Sequence, residues 1–276
     1  KKIHQDAAVF IRNLIKSKFN SNNHQEWINY CQNLKRKYPY EKESTFKRNY
    51  VEVYSFIRAL SDHCKANSII IPDDGGHLTW TMQAFKIKNG QRLFSAFGNS
   101  PMGYSLPASI GAAFAQKNKT IICIDGDGSL MINVQDLFLV SKHNLNIKIF
   151  IINNDGYGII RQFQSLYMEK RYEASKKGLQ NPNFKKIAQS YDLPYELIDN
   201  QKIMPSKIKK IMNKKGPSFI EVRVDPNQTI SPKLEFGRPI EDLSPLIGRK
   251  DFINNTKYVK NIKTLNKKQK DFQEIN

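Results

Sequence analysis

The stretch IICIDGDGSLMINVQDLFLVSKHNLNIKIFIINNDGYG, residues 121–158, decides the fold. Ile121 to Ile124 is a short β-branched run bounded by a glycine turn, the pattern of a buried strand. Gly126-Asp127-Gly128-Ser129 is too glycine-rich to continue it. Val134 to His143 then places Val134, Leu137, Phe138 and Val140 at helical spacing, which predicts a helix. A second buried run, Ile147 to Ile152, ends abruptly in Asn153-Asn154-Asp155-Gly156. A strand–helix–strand unit of this kind carries its loops at the carboxyl ends of parallel strands, where open α/β sheets bind ligands.

The two loops offer a defined chemistry. Asp127 supplies a carboxylate oxygen, Asn154 an amide oxygen, and Gly156 a carbonyl that no Cβ obstructs. Three hard oxygens without His or Cys suit Mg²⁺ or Ca²⁺ and not zinc. They leave an octahedral ion half filled, as a phosphorylated ligand and water would require. Gly126, Gly128 and Gly158 let backbone N–H groups approach an anion, and helix starts favour negative charge there.

Gly126-Asp127-Gly128, then twenty-four residues, then Asn153-Asn154 resembles the thiamine diphosphate fingerprint. The wording GDGSL…NNDGYG is similar to the acetolactate synthase and pyruvate decarboxylase superfamily. A nicotinamide site would instead show G-x-G-x-x-G after the first strand and an acid at the end of the second. The resemblance implies thiamine diphosphate held through Mg²⁺ on Asp127, Asn154 and Gly156. Gly126, Gly128, Ser129, Tyr157 and Gly158 would complete the cofactor contacts.

Working outward, the fold class is α/β, a doubly wound parallel sheet flanked by helices. Helices are expected over 3–19 and 24–38, with an Asn-rich break between and a polar linker at 40–49. A helix at 50–65 precedes a strand, Ser68 to Pro72, whose loop Asp73-Asp74-Gly75-Gly76-His77 opens onto a helix, Leu78 to Phe85. In the resembled family the matching loop touches the terminal phosphate, which makes Gly75, Gly76 and His77 candidates. Beyond 158 the expectation is a helix with Ile159, Phe163, Leu166 and Tyr167 clustered, a helix at 183–191, a strand at 195–198, a helix at 205–214 and a closing strand at 218–224. Three segments follow: 1–40, resembling the end of a middle domain; 41–225, the cofactor domain; and 226–276, a tail like the one that folds over the active site in some relatives. The opening inside a helix, without an initiator Met, reads as the carboxyl-terminal portion of a longer protein.

Residues 95–116, SAFGNSPMGYSLPASIGAAFAQ, resemble a second family loop. There one bulky apolar residue, here Met102, props the cofactor in a bent shape. The carbonyl two positions earlier, here Ser100, accepts from the 4′-amino group. Where acetolactate synthases have a Trp that helps select the second keto acid, this chain has Phe163, a departure that counts against acetolactate synthesis itself. The segments NSPMGYSLPASIGAA and RPIEDLSPL are similar to relatives from surface-polysaccharide gene clusters, which implies a sugar-linked acceptor.

A net charge of +19 invites a nucleic-acid reading, but the lysines are scattered among asparagines and isoleucines with no basic stripe of stacking aromatics. Lys/Asn/Ile richness is also what an AT-biased genome produces. Cys31, Cys64 and Cys123 lack metal or disulfide spacing, which favours a reduced, cytoplasmic setting. No apolar run is long enough for a membrane span. The resembled superfamily also uses a glutamate against the pyrimidine ring, from an amino-terminal domain of the neighbouring subunit. Glu41, Glu43, Glu169 and Glu173 do not suit that role. Half a site, a homodimer or homotetramer, and a 2-oxo acid substrate are therefore implied, with FAD in a middle domain left open. The other readings are a simple decarboxylase, a non-catalytic cofactor-binding module and a nucleic-acid binder.

Overall fold

The computed structural model describes residues 3–17, 24–39 and 49–257. The chain divides into two compact units, Lys1–Pro39 and Tyr40–Asn276. The first holds α1 (Ala7–Lys16) and α2 (Gln25–Lys37). Asp6 starts α1 by accepting from the amides of Ala8 (3.0 Å) and Val9 (3.1 Å), two N–H groups that the helix itself cannot satisfy. Neither helix buries a residue, and Ile11, Ile15 and Trp27 are more than half exposed. The break expected at 20–23 and most of the linker expected at 40–49 lie outside the described residues.

The second unit runs, in chain order, through α3 (Val53–His63), β1 (Ile69–Pro72), α4 (Gly76–Ala84), β2 (Arg92–Leu93), α5 (Ser105–Ala115) and β3 (Ile121–Gly126). It continues through α6 (Leu137–Lys142), β4 (Ile147–Asn153), α7 (Gly158–Tyr167), α8 (Phe184–Ser190) and β5 (Tyr195–Ile198). It ends with α9 (Met204–Asn213), β6 (Ser218–Arg223) and α10 (Arg249–Asn255). The strands form one sheet, ordered β2-β1-β3-β4-β6-β5, with every neighbouring pair parallel. Parallel neighbours need crossovers, and the crossover helices cover both faces of the sheet.

The pleat sorts the isoleucines between those faces. Ile122, Ile124, Phe150 and Ile152 pack with α3, α4 and α9, while Ile121, Cys123, Ile149 and Ile151 pack with α5, α6 and α8. Both faces are dry, which is why these strands read as unbroken apolar runs rather than alternating ones. The doubly wound α/β sheet expected from the sequence is the fold found.

Two local expectations need correction. The helix expected over 134–143 is two 3₁₀ turns, Leu130–Ile132 and Val134–Asp136, followed by α6. The Asn133 side chain donates to the Gly103 carbonyl (2.5 Å) and holds this segment against the neighbouring loop. Phe138, expected on the apolar face, is 54% exposed. β2 has only two residues and no apolar run to announce it. At the chain's far end α10 is anchored by a two-pronged Arg249–Asp242 pair (2.9 and 2.8 Å); residues after 257 lie outside the described residues.

The segment after β6 is tied to the helices beneath it. The Tyr54 hydroxyl accepts the Ser231 amide (2.9 Å) and Gln83 donates to the Pro232 carbonyl (2.8 Å). Gln162 exchanges two bonds with Ile230, each 2.9 Å. Phe150, fully buried in β4 with its ring 5.6 Å from that of Phe56, tests the packing. Phe150→Ala should cost about 3–5 kcal/mol in urea unfolding; a loss under about 1 kcal/mol would contradict it.

Candidate functional site

β1 and β3 are neighbours, yet the chain leaves β1 for β2 on one side and β3 for β4 on the other. This is a topological switch point, with a crevice above the carboxyl ends of the strands. The loops after β1, β3 and β4 meet there. Gly75, Gly76, His77, Met102, Gly126, Asp127, Gly128, Ser129, Asn154, Gly156, Tyr157 and Gly158 all line one cleft; Ser100, of the expected residues, does not. Trp80, Ile159 and Ile160 complete its apolar wall.

Asp127 is the buried charge at the centre. Its Oδ1 accepts from Gly128 N (2.8 Å) and its Oδ2 from Gly156 N (2.8 Å) and Asn181 Nδ2 (2.7 Å). Burial raises its carboxyl to about 6, and the bonds from Gly156, Asn181 and Gly128 oppose that rise. Asn154, itself buried, sits on the next loop. Arg161 of α7 fixes that loop by donating to the carbonyls of Asn154 (3.0 Å), Asp155 (3.1 Å) and Pro226 (2.7 Å). Among the described residues no three His, Cys, Asp or Glu side chains gather around a point. A cation here would therefore depend on amide and carbonyl oxygens beside the single carboxylate.

The opposite wall is a cradle of amides. Gly75, at φ +139°, caps α4 without a side chain, so the first amides of that helix have no capping acceptor. The His77 ring is wedged between Gly75 and Gly126; a Cβ on Gly126 would come within 2.8 Å of its Cε1. Among the described residues, His77 Nε2 is buried with no hydrogen-bond partner. Burial lowers its pKa to about 4, against the opposing pull of Asp73 and Asp74, so the ring is neutral at pH 7. Tyr157 lies flush on Gly128, leaving no room for a Cβ there. The Ser129 hydroxyl is engaged inside its own loop, accepting from Gly126 N (3.1 Å) and donating to Asp125 (2.5 Å).

Two acids that the sequence reading passed over organise the Met102 loop. Asp73, fully buried at the tip of β1, accepts from the amides of Gly103 (2.8 Å) and Tyr104 (3.2 Å). Its neighbour Asp74 accepts the Ser100 hydroxyl (2.6 Å), and Ser100 holds φ 46°. Asp125 accepts from Ser105 (2.9 Å) and Ser129; burial, then the charge of Asp73, pushes its carboxyl well above the ordinary range. Asn181 and Arg161 were likewise not foreseen. The available signal was an acid closing an apolar run, IIIPD and IICID, because a buried carboxylate must find partners.

Residues 73–222 match the family described as thiamine pyrophosphate enzyme, C-terminal TPP binding domain. The chain belongs to that family. Every loop of the cleft lies inside the matched region. The acetolactate synthase large subunit of Cyanidium caldarium is 32% identical over 84% of this chain and 40% of its own length. Isozyme 1 of Escherichia coli K12 is 34% identical over 67% of this chain and 33% of its own length. The Lactococcus lactis IL1403 enzyme is 30% identical over 82% and 38% respectively. The chain thus spans about two-fifths or less of the length of these relatives.

His77 gives this thiamine pyrophosphate-binding domain a measurable pH signature. Its folded pKa, about 4, lies below the ordinary 6.5, so the unfolded state binds more protons in that window and stability is lost as the pH is lowered through it. Relative to His77→Gln, the wild type should lose about 2–3 kcal/mol between pH 7 and 4.5. Parallel curves for the two proteins would mean that the ring is not buried neutral.

Proposed function

We propose that the protein is a thiamine diphosphate- and Mg²⁺-dependent enzyme acting on pyruvate or a related 2-oxo acid. The reaction is decarboxylation with transfer of the two-carbon unit to a carbonyl acceptor. The observation that carries the reading is the convergence of Asp127, Asn154 and Gly156 from two adjacent strand tips within a family of thiamine pyrophosphate-binding domains. The names of the relatives, acetolactate synthases, support the reaction class.

The residues fit the group. An all-oxygen donor set suits Mg²⁺, His77 Nε2, without a hydrogen-bond partner among the described residues, is a spare polar atom for a phosphate oxygen, and Gly126 and Gly128 let the His77 and Tyr157 rings pack directly on the loop that carries Asp127. Asp127, Asn154 Oδ1 and the Gly156 carbonyl hold the cation. Because Asp127 Oδ2 already accepts two donors, Oδ1 is the oxygen left for it. The amides of Gly76 and His77 orient the terminal phosphate at the positive end of α4. When bound, thiamine diphosphate supplies the thiazolium carbon at which a 2-oxo acid loses carbon dioxide. Met102, half-buried in the cleft wall, would prop the cofactor, and the Ser100 carbonyl, just outside the cleft lining, would be an acceptor for its 4′-amino group. Ile159 and Ile160 supply an apolar rim to the cleft.

No glutamate lines the cleft among the described residues, which supports a second half-site: an amino-terminal pyrimidine-binding domain of a neighbouring subunit, in a cytoplasmic homodimer or homotetramer. Residues 1–40 would close a middle domain, and 226–276 would form the tail over the site. Phe163, packed with Tyr167 (5.0 Å) and Phe236 (6.1 Å), stands where acetolactate synthases have a Trp that helps select the second keto acid, so the acceptor need not be a second pyruvate.

Thiamine diphosphate should bind only with Mg²⁺ present, and Asp127→Ala should weaken it at least about a hundredfold, since the buried cation loses its only carboxylate. Unchanged affinity would remove this site. Binding should also weaken below about pH 6, where the cation must displace the Asp127 proton. The isolated 276-residue chain should not turn over pyruvate; activity from it alone would contradict the partner glutamate.

A further inference from the structure

The loop between α7 and α8 carries no fingerprint residue, yet it closes over the metal end of the cleft. Asn181 is its point of contact. One side-chain amide donates to Asp127 Oδ2 (2.7 Å) on the loop after β3 and to Asn153 Oδ1 (3.3 Å) at the tip of β4. Asn153 in turn donates to Glu221 (2.9 Å), which Tyr195 (2.6 Å) and Arg223 (3.3 Å) hold on β6 and its neighbour β5. The cleft carboxylate is thereby joined, hydrogen bond by hydrogen bond, to the far side of the sheet.

The same loop is fitted to the backbone it covers. A Cβ on Gly156, which sits at φ +125°, would lie 2.7 Å from the Ser175 carbonyl and 2.6 Å from Leu179 Cδ2. The loop is itself braced from α7: Gln164 donates to the Glu173 carbonyl (2.9 Å) and pairs with the Ser175 hydroxyl. Ser175 is fully buried. So the loop holds both the carboxylate and the glycine whose carbonyl would be offered to the cation.

We infer that Asn181 is a positioning residue that locks the Asp127 carboxylate in the orientation needed to bind Mg²⁺. The inference rests on the Mg²⁺ site proposed above. With Oδ2 held by Asn181 and the Gly156 amide, the carboxylate cannot turn about its Cβ–Cγ bond, and Oδ1 stays directed at the cleft. Removing Asn181 leaves the carboxylate with only the Gly128 amide on Oδ1 and the Gly156 amide on Oδ2, one bond per oxygen, and so loosens its orientation. Partners of metal ligands typically contribute ten- to hundredfold in metal affinity.

The test is a Mg²⁺ titration of the full-length protein with thiamine diphosphate present, followed by the fluorescence of Trp80, which lines the cleft. Asn181→Ala should need about 10–100 times more Mg²⁺, with kcat restored once Mg²⁺ saturates. Asn181→Ser, whose hydroxyl is too short to reach Asp127, should behave alike. Asn183→Ala serves as control: it removes the cap that accepts the Lys186 amide (3.0 Å) in the same loop, and should leave Mg²⁺ affinity unchanged. Wild-type Mg²⁺ affinity in Asn181→Ala, or an equal loss in Asn183→Ala, would overturn the assignment. Failure of both Asn181 variants to fold would make the residue structural and overturn it too. A wild-type protein that shows no Mg²⁺-dependent binding would instead remove the metal site, and this role with it.

Discussion

A carboxylate sits almost out of water at the tip of β3, 2% exposed, and the architecture of the cleft follows from keeping it satisfied. An ion in such a place is costly unless donors or a counter-charge surround it. Asp127 receives its own loop's amide, the amide of Gly156 from the adjacent strand tip, and the side chain of Asn181 from a third segment. These bonds gather three separate stretches of chain around one point. They only partly offset burial, which still holds the carboxyl near 6. That residual cost is what a divalent cation would relieve.

The sheet makes this gathering possible. Two dry faces fix β1, β3 and β4 in register, so their carboxyl ends lie side by side and their loops meet without further cross-linking. Asp73 and Asp125 repeat the logic of Asp127 one step back from the cleft. Each ends a buried apolar run, and both take donors from the stretch 103–105, Asp73 from the amides of Gly103 and Tyr104 and Asp125 from the Ser105 hydroxyl. The loop bearing Met102 therefore hangs from the tip of β1 and is steadied by Asn133. The chain beyond β6 is clamped by Tyr54, Gln83, Arg161 and Gln162.

Much of this was legible in the sequence, and the reasons are local. Buried parallel strands show as β-branched runs, so β1, β3, β4 and β6 could be read from IIIP, IICI, IKIFII and FIEVRV within a residue or two. The glycines and acid of the cleft are contiguous with those runs and were readable too. What escaped reading depends on distant partners. Asn181 meets Asp127 across 54 residues, and nothing in the wording LQNPNF announces it. β2 has too few residues to form a pattern, and the helix expected over 134–143 gives way where Asn133 bonds to another loop. The exposed apolar residues of α7, Ile160 and Leu166 among them, follow helical spacing without a core to face; periodicity reports a sided helix, not what covers that side.

The cleft shows one wall of amides, one of oxygens and an apolar rim, with the thiamine pyrophosphate enzyme family as its setting. Its central claim concerns where a cation binds. The most direct measurement is an anomalous difference map from crystals of the full-length protein grown with thiamine diphosphate and Mn²⁺ in place of Mg²⁺. The account requires a single strong peak about 2.0–2.3 Å from Asp127 Oδ1, Asn154 Oδ1 and the Gly156 carbonyl. A peak elsewhere, or a cofactor bound with no peak between those oxygens, would contradict it.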